Sequence, residues 1–174
     1  MQTNLVLTVI GDDKPGLVES LARVIVNNGG NWEESSMSQL AGKFAGILRV
    51  SVATEQSDAL VAELQKLSND LRLVIEQANT EESAEPPRTV RLNLVGNDRP
   101  GIVREISHAL AVLSVNVEQL NTECSPAPMS SDLLFRTRAT LKVPQDLALD
   151  VLQEELERLA DDLIVEIKLE EARQ

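Results

Sequence analysis

Sliding the chain against itself by 85 residues lays Gly11-Asp12-Asp13-Lys14-Pro15-Gly16-Leu17-Val18 onto Gly96-Asn97-Asp98-Arg99-Pro100-Gly101-Ile102-Val103, with five of the eight pairs identical. The same offset carries Asn31 and Glu33 onto Asn116 and Glu118, and apolar Leu5, Val9, Leu17, Leu21 and Ile25 onto Val90, Leu94, Ile102, Ile106 and Leu110. A self-similarity that keeps both spacing and polarity means one structural unit written twice. Each copy of about 80 residues is large enough to bury a modest core of its own. The polar stretch Asn79 to Arg88 is acidic and ends in two prolines, so it serves as the connection. The expected organisation is a first unit at 1–80, a linker at 81–88 and a second unit at 89–174.

Within a copy, Asn4 to Ile10 is a short apolar run rich in branched residues that stops at Gly11. Val90 to Val95 repeats it, with Arg91 and Asn93 alternating outward. Leu17, Val18, Leu21 and Ile25, like Ile102, Val103, Ile106 and Leu110, recur at helical spacing. Pro15 and Pro100 fall where proline is tolerated, in the first turn. Extended segments then follow at Asn31 to Leu40 and Phe44 to Thr54, a helix carries Leu60, Val61, Leu64 and Leu67, and a last strand covers Leu71 to Gln77. The second copy repeats this through Asn116 to Cys124, Leu133 to Val143, a helix with Leu152, Leu156 and Leu159, and a strand at Leu163 to Leu169. Its main departure is an insertion rich in proline and serine, Ser125 to Asp132. The order βαββαβ with right-handed crossovers gives an α+β fold: two tandem ferredoxin-like units, each an antiparallel four-stranded sheet with both helices on one face.

A net charge of -12, acidic in both halves, repels phosphate backbones and argues against direct nucleic-acid binding. RNA-recognition modules share the βαββαβ order but stack bases on sheet aromatics, and here only Trp32, Phe44 and Phe135 are aromatic. No apolar run approaches the roughly 20 residues that span a bilayer, so no membrane role is expected. The single cysteine and the lack of a leader-like amino terminus point to the cytoplasm. One histidine, His108, and one thiol, Cys124, supply neither a metal cluster nor a nucleophile-base set, so no metal, no cofactor and no catalytic residue is expected. An enzyme of the ferredoxin-like superfold is the competing class, and it lacks such a set. The carboxylate pairs Glu33-Glu34, Glu154-Glu155 and Asp161-Asp162 are adjacent in sequence and are expected to point in different directions. Arg136 and Arg138 alternate with Phe135 and Thr137, which places two guanidinium groups on one sheet face, a solvated face or a partner-protein patch.

The strand-to-helix junction carries the chemistry. It delivers unpaired backbone N–H groups at a helix start, where an anion such as a carboxylate is favoured. Gly16 and Gly101 let a ligand approach the backbone, and Asp12, Asp13, Asn97 and Asp98 can accept the three protons of an ammonium group. Together these suit a free α-amino acid. A plain capped turn with aspartates as charge complements explains the same residues.

Asp98-Arg99-Pro100-Gly101-Ile102-Val103, followed by Val115-Asn116-Val117, resembles the signature of ACT domains, as does Asp13-Lys14-Pro15-Gly16-Leu17-Val18 with Gly30-Asn31-Trp32. The resemblance covers essentially the whole chain as two domains. It implies effector amino acids held by the first strand-helix loop and the start of the second strand. Carried onto this sequence, the implied ligand residues are Asp12, Asp13, Gly16, Leu17 and Asn31, and in the second copy Asn97, Asp98, Gly101, Ile102 and Asn116. Trp32 stands where the pattern has Ile or Val and is expected to narrow or block the first site. A two-domain chain of this length is similar to the family of glycine cleavage system transcriptional repressors. That implies a non-catalytic regulator that senses a small amino acid, glycine first, and modulates a DNA-binding transcriptional regulator or other protein by contact. An allosteric or adaptor module for an enzyme of amino-acid metabolism is the alternative. A homodimer is expected, because exposed edge strands invite pairing.

Overall fold

The structure is a computed structural model that describes residues 1–78, 88–127, 132–163 and 165–171. Of the expected linker at 81–88 all but Arg88 lies outside the described residues, as do positions 128–131 of the insertion. The chain forms two compact units, Met1–Glu82 and Ser83–Gln174.

In the first unit β1 (Gln2–Asp12) leads to α1 (Leu17–Asn27), β2 (Asn31–Leu40), β3 (Lys43–Ala53), α2 (Ser57–Gln65) and β4 (Leu71–Gln77). Short 3-10 turns at Thr54–Gln56 and Lys66–Asn69 flank α2. The sheet order is β2-β3-β1-β4 with antiparallel neighbours. In the second unit β5 (Arg88–Asn97), α3 (Ile102–Val112), β6 (Asn116–Pro126), β7 (Leu133–Val143), α4 (Leu149–Leu163) and β8 (Val165–Glu171) form the same topology, ordered β6-β7-β5-β8. The expected strand-helix alternation is present in both.

Period-two burial shows why each sheet forms. Leu5, Leu7 and Val9 on β1 and Leu48, Val50 and Val52 on β3 are buried under Leu21, Ile25, Leu60 and Leu64 of the two helices. The second unit packs Val90, Leu92, Leu94, Ala139, Leu141 and Val143 under Ile106, Leu110, Leu152 and Leu156. The opposite sheet face is open. Arg91 and Arg138 are exposed on it and Arg136 is half-buried, while Phe135 and Thr137 turn into the core, as their alternation predicts. Among the described residues no helix is long and apolar enough to cross a membrane.

The copies differ where β3 and β7 meet the first helix. Leu7 pairs with Leu48 and Val9 with Gly46, whereas Leu92 pairs with Ala139 and Leu94 with Thr137. With alanine in place of leucine at the first of these positions, a crevice of about 30 Å³ lies beside Leu92, Leu120, Thr137 and Ala139. Thr137 is 5% exposed, and its hydroxyl has no hydrogen-bond partner among the described residues. A buried hydroxyl left unpaired costs about 1–3 kcal/mol. Thr137→Val is therefore expected to raise the unfolding free energy by up to about 1 kcal/mol in urea denaturation, and a clear loss would show that the hydroxyl is satisfied.

The hairpins also differ. Ala41 and Gly42 both take positive φ, 50° and 78°, so β2 and β3 are joined by a tight two-residue turn. In the second unit the ladder runs on through Ser125 with Leu134 and Pro126 with Leu133, and Ala127 N–H donates to the Asp132 carbonyl at 2.8 Å. The described ends of the insertion thus extend a hairpin.

A candidate functional site at the strand-to-helix turns

Each turn is held by the neighbouring hairpin. Asp13 N–H donates to the Gly42 carbonyl at 3.0 Å, and Asp98 N–H to the Leu133 carbonyl at 2.9 Å. The chain then swings through left-handed glycines, Gly16 at φ 91° and Gly101 at φ 97°, that sit at the N-cap positions of α1 and α3. Pro15 and Pro100 consequently lie in the turn before the cap and not in the first helical turn, because the left-handed glycine intervenes. The Gly16 carbonyl accepts from Ser20 N–H at 2.9 Å and the Gly101 carbonyl from Glu105 N–H at 3.0 Å, which starts each helix. No side chain caps either end, so the first helical N–H groups remain available to an anion. Leu17 and Ile102 are 5% and 2% exposed. Their side chains belong to the core, and only their backbone faces the turn.

The charges around the two turns are arranged differently. Asp12 is ion-paired with Lys43 across the β1–β3 ladder, and Lys14 with Asp70 ahead of β4. The Lys43 ammonium, with smaller help from Lys14 and Arg72, holds the Asp12 carboxyl below its usual range. In the second unit Arg99 turns to α3 and grips both oxygens of Glu105 at 3.1 and 2.9 Å. That fork lowers the Glu105 carboxyl, while the glutamate raises the guanidinium. Because the folded-state carboxyl is depressed, its contribution is fully present above the ordinary value of 4.5 and is lost as pH falls through the lower folded value. Removing it in Glu105→Gln is expected to flatten the acid limb of a Tm-versus-pH profile slightly, and an unchanged limb would mean the fork does not persist in solution. Cys124 is exposed beside Asp98, and partial desolvation together with that carboxylate pushes its thiol above the usual range. A suppressed thiolate is a poor nucleophile.

Asn31 and Asn116 lie elsewhere. Asn31 pairs with Ser51, but Asp12 pairs with Lys43, eight residues along the same strand, or roughly 26 Å at the rise of an extended chain. Asn116 pairs with Lys142 and Asn97 with Leu134, giving the same separation. One small molecule on one unit therefore reaches Asp12, Asp13 and Gly16, or Asn31, but not both. Trp32 is half-buried against the first core at the Asn31 end, so it does not stand over the turn of its own unit. The bulge between Trp32 and Glu34 corrects a further expectation: it lets Glu33 and Glu34 both reach Arg49, at 3.1 and 3.4 Å. The bulge recurs in β6, where Glu118 meets Lys142 at 2.8 Å, which accounts for the repeated glutamate. His108 is exposed on α3.

One feature carried no sequence signal. Beside each turn, on the side of β4 or β8, the end of the sheet opens into a cleft, about 340 Å³ by Asp12, Lys43 and Arg72 and about 500 Å³ by Asn97, Leu134 and Glu166. Its walls come from strands and loops distant in sequence, Asp12, Lys43 and Arg72 in the first unit and Asn97, Leu134 and Glu166 in the second.

Residues 3–77, the whole described first unit but for its ends, match the model of the ACT domain. The first unit belongs to the ACT domain family. The glycine cleavage system transcriptional repressor of Escherichia coli is 25% identical over 128 residues, 72% of this chain and 67% of that one, an alignment longer than either ACT unit. A UPF0237 protein of Methanopyrus kandleri is 37% identical over 71 residues, 40% of this chain and 79% of its own. The crystal structure of an unknown protein from Galdieria sulphuraria superposes with a TM-score of 0.89 at 28% identity, covering 99% of this chain and 100% of that one. The similarity to a transcriptional repressor and the ACT fold support a regulatory, amino-acid-sensing role.

Proposed function

We propose that this chain is a non-catalytic regulator that senses a small amino acid, glycine first, and acts on a transcriptional regulator through protein contact. The observation that carries the reading is the uncapped helix entrance behind a left-handed glycine, kept in both copies with acidic or amide side chains beside it. In this reading the ammonium group sits against the acidic or amide side chains of the turn, Asp12 and Asp13 or Asn97 and Asp98, and the carboxylate is held by donors beside that turn. Asn31 and Asn116 take no part in the same contact within one unit. Similarity to the glycine cleavage system repressor supports glycine as the first ligand to test.

Glycine has five heavy atoms, and at a ceiling of about 1.5 kcal/mol each the best site reaches about 7.5 kcal/mol, a Kd of a few micromolar. Titration with glycine, alanine and serine up to millimolar, read by calorimetry and thermal shift, tests the proposal. Saturable binding of one of them, weakened by Asp13→Ala or Asp98→Ala, is expected. No heat and no shift from any of the three removes the sensing role.

A further inference from the structure

The two clefts at the sheet ends are equivalent in position and differ in charge: Lys43 and Arg72 balance Asp12 and Asp70 in the first, while the second is lined by Asp161 and Glu166 with no cation among its lining residues. Arg72 pairs with Ile10 of β1, and Glu166 pairs with Val95, the residue 85 positions later in β5. Lys43 pairs with Asp12, and Leu134 with Asn97. The second copy has therefore exchanged an arginine for a glutamate and a lysine for a leucine at matching places in the wall, and Asp161 adds a further acid there.

In the first unit the cations are not equally engaged. Lys43 is held by Asp12 and Lys14 by Asp70, whereas Arg72, on the same wall, closes no ion pair among the described residues. The group this cleft lacks is an anion for a guanidinium. A planar carboxylate matches the two-pronged donor set of arginine, and Ser68 and Asn69 supply neutral donors alongside. Asp12 and Asp70, already partly neutralised by their lysines, line the same cleft as acceptors for an ammonium group. The competing place for a carboxylate is the entrance of α1, which offers roughly half an elementary charge against the full charge of Arg72. The second cleft repels the same group with Glu166 and Asp161.

We infer that the first unit is the sensing copy, with Arg72 taking the carboxylate of the amino-acid effector in the cleft between β1 and β4, and that the corresponding cleft of the second unit does not bind it. The inference rests on the amino-acid-sensing reading and assigns its copy and its specificity-determining residue.

The test titrates the full chain with glycine and, in parallel, with glycinamide, which keeps the ammonium group and lacks the carboxylate. The parent is expected to bind one glycine per chain and to bind glycinamide at least about tenfold more weakly. Arg72→Glu, at an exposed position, is expected to keep the parental melting profile and lose glycine affinity by about tenfold or more. The double change Leu134→Lys with Glu166→Arg is expected to raise the stoichiometry from one towards two. Two equal sites in the parent, or Arg72→Glu binding as the parent does, overturns the assignment while sensing survives. A parent that binds none of glycine, alanine and serine overturns the sensing reading as well.

Discussion

Leu48→Ala is expected to lower the unfolding free energy by about 2–5 kcal/mol, the loss seen when a fully buried leucine is cut back and its surroundings cannot close the gap. Leu48 sits in the middle of β3, 2% exposed, opposite Leu7 and beneath both helices. Its neighbours are themselves buried leucines and valines drawn from three different elements, so none can move inward without opening a void behind it. The second unit supplies an internal control, because Ala139 already occupies the equivalent place and borders a crevice. The reverse change, Ala139→Leu, has space to grow into and is expected to remain within about 1.5 kcal/mol of the parent. Urea denaturation of both variants checks the pair. A Leu48→Ala loss below about 1 kcal/mol means that the first core relaxes, and the contrast between copies then has no energetic content.

That contrast also marks the reach of sequence reasoning. Leu5, Leu7, Val9 and their repeats at Val90, Leu92 and Leu94 alternate clearly enough to give strands, and Leu17, Leu21 and Ile25 give a helix, because each pattern depends on neighbours a few residues away. Repetition made the topology legible, since a lone βαββαβ pattern is weak and two in register are not. The candidate site was legible only in its local part. Asp12 to Gly16 folds as one turn, so its residues stay together. Asn31 follows α1, which runs back along the sheet, and the crossover that makes β2 parallel to β1 also delivers Asn31 to the far end. The Asp13 bond to Gly42, the Cys124 contact with Asp98 and the cleft wall at Arg72 depend on hairpin and strand registers. Such registers are fixed by the completed sheet, and no spacing within a single segment records them.

The two glycines that bracket the first turn are expected to respond to the same substitution for different reasons and to different extents. Gly16→Ala adds a methyl group to open space, with nothing within 4 Å, and its cost is the left-handed backbone alone, about 1–2 kcal/mol. Gly11→Ala drives its Cβ to 2.4 Å from the Asp70 carbonyl oxygen, a backbone atom of the segment entering β4. No rotamer relieves that clash. Either β1 or β4 must shift where Gly11 pairs with Leu71, and a cost at or above the usual overpacking range, about 3 kcal/mol, is expected. The functional consequences divide as well. Moving the backbone at Asp70 displaces the partner of Lys14 and the segment that carries Arg72, so Gly11→Ala is expected to lose glycine binding even at temperatures where it remains folded. Gly16→Ala leaves that wall in place and is expected to keep most of the affinity. Melting curves and glycine titrations of the two variants decide the matter. If Gly16→Ala lost the ligand and Gly11→Ala kept it, the carboxylate would lie on the helix entrance, and the β4 side of the turn would be only a strand closely packed against its neighbour.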